Sequence, residues 1–150
     1  RKKINKKDPQ PISYGLNSRL VKDKQNRITE RVWKTDGLYG KALTKVVYWL
    51  QKAAAVAETP EQKLALDKLI QYYQTGDLKV WDEYNVAWVH DTQSRTDVVN
   101  GFIEVYGDPL GYRAAYESVV SFKDLEATKR IKTIGDEAQW FEDNSPIKPE

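Results

Sequence analysis

Glu104 and Tyr106 stand two positions apart in the stretch Phe102-Ile103-Glu104-Val105-Tyr106, where an ionisable acid interrupts residues that otherwise belong in a core. The stretch is rich in strand formers and stops at Gly107-Asp108-Pro109, a turn signal, so a short strand is expected at 101–106. Side chains alternate along a strand, which sends Phe102, Glu104 and Tyr106 to one face and Ile103 and Val105 to the other. Two strand rises separate the carboxylate from the phenol by about 7 Å, a spacing that matches two residues of an extended peptide lying alongside. The same residues also fit a half-exposed edge strand in which Glu104 pairs with some lysine or arginine.

Few other residues offer chemistry. His90 is the sole histidine, so no pair of imidazoles can form a zinc site, and it reads as a surface or satisfied side chain after Trp88. The absence of cysteine removes disulfides, thiolate catalysis and sulfur-ligated zinc. Acidic pairs such as Glu58 with Glu61, or Asp82 with Glu83, fall on polar helix faces and read as solvated charge. No metal ligand set is expected in this chain. Lys and Arg number 24 against 22 Asp and Glu, and a net charge of +2 names neither a nucleic acid nor a membrane surface as partner. The basic cluster Arg1, Lys2, Lys3, Lys6 and Lys7 is followed at once by Asp8, Pro9 and Pro11, and reads as a solvated linker. No apolar run approaches a membrane span, and the start lacks the apolar segment of a secretory signal, so a soluble piece is expected. The lack of any methionine points to a processed or excised segment.

The elements that must hold Glu104 and Tyr106 follow from periodicity. A polar linker is expected over 1–15, a mostly helical body over 16–146 and a tail at 147–150. Within the body, Leu16 to Trp33 reads as weakly helical. Tyr39, Leu43, Val46, Val47 and Leu50 fall at the spacing of a helix face and predict a helix over 38–58. Thr59-Pro60-Glu61-Gln62 supplies a cap, a first-turn proline and a capping-box glutamine, so a second helix is expected over 60–75, closed by Gly76. Leu78, Trp81, Asn85 and Trp88 suit a third helix between Asp77 and Asp91. A second strand at 115–122 can pair with the first across the turn-rich link. Ala127, Ile131, Ile134, Ala138 and Phe141 give a last helical face, ended by Asn144, Ser145 and Pro146. The fold class expected is α+β, mainly helical, with a small antiparallel or mixed β element.

Gly101-Phe102-Ile103-Glu104-Val105-Tyr106-Gly107-Asp108-Pro109-Leu110-Gly111-Tyr112-Arg113, followed by Tyr116-Glu117, resembles the signature of the dipeptidyl peptidase III family. That pattern is Gly-Phe-Ile-Glu-x-Tyr-x-Asp-Pro-x-Gly-x-Arg and then an aromatic-Glu pair, and this chain fills every specified position. The resemblance is clear over about residues 70–125. It implies a segment of a two-lobed, cytoplasmic zinc peptidase that removes dipeptides from the amino end of oligopeptides. It further implies that Glu104 binds the substrate's terminal ammonium and that Tyr106 hydrogen-bonds the scissile carbonyl as it becomes an oxyanion. The residue types suit those roles, since an ionised carboxylate makes a charge-assisted bond to ammonium and a neutral phenol donates to developing negative charge. Asp108, Pro109, Gly111 and Arg113 read as shaping the turn. Zinc belongs to the intact enzyme, on a His-Glu-x-x-Gly-His helix and a further glutamate in the remaining lobe, and none of it is bound here. Many members carry an arginine where this chain has Gly107, so any contact made by that arginine is in doubt. Two other readings stand beside this one: a non-catalytic helical protein-interaction domain, and a carboxylate-based hydrolase using Glu104 with Asp108.

Overall fold

The hydrophobic residues that recur at helical spacing between positions 40 and 90 do form helices, and their shared face builds the core. The structure, a computed structural model, describes residues 7–147. Most of the basic cluster at 1–7 and of the expected tail at 147–150 lies outside the described residues.

Helix α1 (Gly40–Ala54) buries Leu43, Val47, Leu50 and Ala54. It ends before the expected 58, because Val56 N–H bonds back to Ala53 O at 3.0 Å and tightens the chain into the reversal. Helix α2 (Pro60–Thr75) starts as its sequence dictates. Thr59 Oγ1 accepts from Gln62 N–H at 3.0 Å, and Gln62 Oε1 accepts from Glu58 N–H at 2.7 Å. Asp77 then caps α3 (Leu78–His90) by accepting from Lys79 N–H at 2.9 Å.

The segment 16–33 corrects the expectation of a weak helix: it is an antiparallel hairpin of β1 (Ser18–Lys22) and β2 (Ile28–Val32). Local turn chemistry overrides the apolar spacing. The Asp23 carboxylate accepts from the backbone N–H groups of Gln25 and Arg27, both at 2.9 Å, while Asn26 takes the left-handed conformation with φ 62°. Leu20 and Ile28, counted towards a helix face, are 72% and 70% exposed.

Strands β3 (Thr96–Phe102) and β4 (Tyr116–Phe122) pair antiparallel, Thr96 opposite Phe122 and Phe102 opposite Tyr116. The first strand therefore lies earlier than the expected 101–106 and meets it only at Gly101 and Phe102. The single last helix expected is instead two, α4 (Leu125–Asp136) and α5 (Ala138–Asp143), and neither buries a residue. Ile131, Ile134 and Phe141, the apolar face expected of that helix, are all exposed.

Aromatic side chains tie the helices to β3. Tyr72 stacks on Trp81 at 4.9 Å between centroids, Trp81 meets Tyr84 at 5.2 Å, and Phe102 lies 4.6 Å from Trp33 and 6.4 Å from Tyr73. Buried Asn100 accepts from Tyr73 Oη and donates to Tyr116 Oη at 2.8 Å and Ser118 Oγ at 3.0 Å. This network fixes β3 between α2 and β4, since each buried polar group is satisfied only in this register. Burial raises the Tyr73 and Tyr72 hydroxyls well above the usual phenol range, and pushes Tyr84 to about 12.

Candidate functional site

The glycine that opens the motif permits a close approach. A Cβ at Gly101 would sit 2.4 Å and 2.6 Å from the edge of the buried Trp81 ring, so only glycine lets β3 lie this close to α3. Phe102 is buried next to it and anchors the strand end in the core.

Beyond Phe102 the simple alternation fails. Ile103 N–H donates to Ala115 O at 3.0 Å, yet Ala115 N–H donates to Glu104 O at 2.8 Å, so two residues face one. That arrangement is a β-bulge, which inserts one residue and bends the strand. Phe102, Ile103 and Val105 consequently pack on the core, whereas Glu104 and Tyr106 face solvent. The expectation that Phe102 shares a face with Glu104 and Tyr106 is corrected by this extra residue. Glu104 and Tyr106 are both open: Tyr106 is 83% exposed. Among the described residues neither side chain has an ion-pair or hydrogen-bond partner, so the lysine or arginine envisaged for an edge-strand Glu104 is not there.

The following turn is built around Asp108. Its carboxylate accepts from Tyr112 N–H at 3.1 Å, Arg113 N–H at 3.3 Å and Arg113 Nη2 at 3.2 Å, and Gly111 N–H closes on Asp108 O at 2.8 Å. Gly111 takes φ +65°, the left-handed conformation that glycine adopts without strain. The chain then returns through Ala114, whose N–H bonds to Leu16 O at 2.9 Å. Asp108 is thus consumed as a turn organiser, which removes it as the second carboxylate of a hydrolytic pair.

The backbone bonds from Tyr112 and Arg113 hold the Asp108 carboxyl below the usual carboxylate range. The folded value being the lower, Asp108 stabilises the turn above the unfolded value, and this is lost as pH falls through the folded one. In an acid titration, Asp108→Asn should therefore unfold more readily than the parent at neutral pH, with the gap closing below about pH 4. A gap that stays constant down to the acid limit would refute the ionic role of Asp108.

Two grooves larger than the rest open among the described residues, and one of them borders this region. The larger, about 640 Å³, runs between residues 8–12 and helices α2 and α3. It is lined by Lys68, Lys79, Asp82, Glu83 and His90, and Lys68 already pairs with Glu83. Its charges are of both signs, Lys68 and Lys79 against Asp8, Asp82 and Glu83, and select no ligand. The second, about 480 Å³, lies against the residues that pair with the bulge. Trp33, Phe102 and Tyr116 line it from one side, Leu43 and Val46 from α1, and Arg19 and Arg113 also border it. Sequence reasoning missed this groove, because Arg19, Trp33 and Phe102 are brought together only by the hairpin that was read as a helix. The indole N–H of Trp33 is buried in its wall without an acceptor.

No group of three or more His, Cys, Asp or Glu side chains among the described residues could hold a metal ion, so these residues do not fit a zinc site. No helix among them is long and apolar enough to cross a membrane.

The chain resembles known proteins along nearly its whole length, beyond the motif itself. It is 30% identical over 112 residues to Nudix hydrolase 3 of Arabidopsis thaliana, covering 74% of this chain and 14% of that protein. It is 27% identical over 115 residues to dipeptidyl peptidase 3 of Rattus norvegicus, covering 77% of this chain and 16% of that protein. The chain thus spans less than a fifth of these relatives. In structure it superposes on dipeptidyl-peptidase III from Corallococcus sp. strain EGB with a TM-score of 0.64 at 24% identity, over 90% of this chain and 24% of that one. That likeness shows a shared α+β fold. The profile of Peptidase family M49 matches residues 12–149, taking in the hairpin and all five helices as well as the motif. The chain, with its bulge at Ile103 and Glu104 beyond β3 and its Asp108-centred turn, belongs to Peptidase family M49.

Proposed function

We propose that this chain is the substrate-gripping part of a zinc-dependent dipeptidyl peptidase that releases dipeptides from the amino end of oligopeptides. Glu104 binds the terminal ammonium, and Tyr106 donates its hydroxyl to the scissile carbonyl oxygen as negative charge develops there. The observation that carries this reading is the pair of unpartnered, solvent-facing groups on a bulge and turn pinned by backbone bonds at Ile103, Glu104 and Val105 and by the Asp108 carboxylate. A rigid frame with two free polar ends costs little reorganisation when a substrate arrives. Zinc, held by residues of the remaining lobe outside this chain, would polarise the carbonyl and activate water. The peptide substrate and that lobe are the partners, and the cytoplasm is the compartment that fits the reading. Gly107 leaves open space where a longer side chain would reach, since a Cβ there meets nothing within 4 Å.

The test compares free and N-acetylated forms of one oligopeptide on the full-length protein. Only the free form should lose its dipeptide, and a zinc chelator should stop that cleavage. Glu104→Gln should raise KM for the free form by about tenfold to a hundredfold, the scale of a hydrogen bond to a charge. Equal turnover of blocked and free peptide would rule out ammonium capture.

A further inference from the structure

We propose that the groove of about 480 Å³ beside the motif strand is a binding site for an apolar carboxylate, an N-acylated aromatic amino acid or the like. Its walls are aromatic and aliphatic, Trp33, Phe102 and Tyr116 facing Leu43 and Val46, which suits a ring of that size. Among the described residues its only charged lining side chains are Arg19 and Arg113, and no carboxylate borders it. Arg113 is already engaged by Asp108 at 3.2 Å, which leaves Arg19 as the unbalanced charge. Arg19 has no ion-pair or hydrogen-bond partner among the described residues. It stands directly opposite Arg31 in the β1–β2 ladder, a like-charge pairing that weakens a hairpin unless an anion comes between or beside the two. A guanidinium at the rim of an apolar slot recognises a carboxylate in two-pronged fashion and tolerates no cation there. The first turn of α1, which opens at the same groove, carries no acidic residue to oppose the anion. The other groove, with charges of both signs, has no such preference.

The site is independent of the roles given to Glu104 and Tyr106, and the probe is chosen to keep them apart. N-acetyl-phenylalanine lacks an ammonium and cannot engage Glu104, so its binding to the full-length protein, followed by titration calorimetry, reports on the groove alone. The acid should bind, and N-acetyl-phenylalaninamide should bind at least about tenfold more weakly, the carboxylate contact being lost. Arg19→Gln should weaken the acid to the level of the amide, Ala42→Phe should abolish both by filling the slot, and Glu104→Gln should change neither. Absence of binding, or binding that survives Arg19→Gln or Ala42→Phe, overturns the proposal. If the remaining polypeptide occupies the groove instead, the acid will not bind and Arg19→Gln will lower the Tm, which also overturns it.

Discussion

Tyr106→Phe in the full-length protein should lower kcat by on the order of a hundredfold while leaving KM nearly unchanged, the signature of a hydrogen-bond donor that acts in the transition state. The substitution removes one oxygen. Tyr106 is 83% exposed and its hydroxyl has no hydrogen-bond partner among the described residues, so folding should not notice the loss. The backbone on either side is held independently, by Ala115 N–H on Glu104 O and by Asp108 N–H on Val105 O at 3.0 Å. A phenylalanine there keeps the ring and its direction, and only the donated hydrogen bond disappears. Steady-state kinetics with unchanged turnover would reject the oxyanion role. A fall in the Tm would show that the hydroxyl serves the fold instead.

The largest stability effect belongs to the residue two positions before the acid. Phe102→Ala should destabilise the protein by about 3–5 kcal/mol, read as a lower midpoint in denaturant unfolding. Phe102 is buried and sits where three layers meet: Trp33 from the end of the hairpin, Tyr73 from α2 and Tyr116 from β4, at 4.6, 6.4 and 5.6 Å between ring centroids. Truncation would leave a void bordered by large rings that cannot close in without moving the helix, strand and hairpin that carry them, so the cavity cost adds to the lost burial. Activity should fall with it, because the bulge that carries Glu104 begins at the next residue. A loss below about 1 kcal/mol would mean that the ring cluster relaxes freely and that Phe102 is no anchor.

Helices α2 and α3 were legible in the sequence, and α1 nearly so, because their signals are local. The capping bonds of Thr59, Gln62 and Asp77 reach residues within four positions of themselves, Pro60 opens the first turn of α2, and the apolar spacing names the inner face. The hairpin at 18–32 was not legible, since Leu20, Val21, Ile28 and Val32 also fit a helix, and the deciding turn is made by Asp23 accepting from Gln25 and Arg27. The last helical face was read from its apolar spacing as one helix, and it forms two whose apolar residues stay exposed. Amphipathicity shows that a helix can pack, whereas burial depends on what lies opposite.

The sequence by itself determined that an exposed acid and phenol two positions apart sit between a strand and a turn, and that the motif belongs to a recognisable family. These are matters of residue type and short spacing. Only the tertiary structure decided why the two side chains leave the core together. The bulge at Ile103 and Glu104 exists because Ala115, eleven positions on, offers both its N–H and its C=O to this segment. It also set Arg19 on a groove whose wall comes from Phe102, more than eighty residues away in the chain. Contacts of that range are chosen by packing and loop closure across the whole fold, which no window of neighbouring residues encodes.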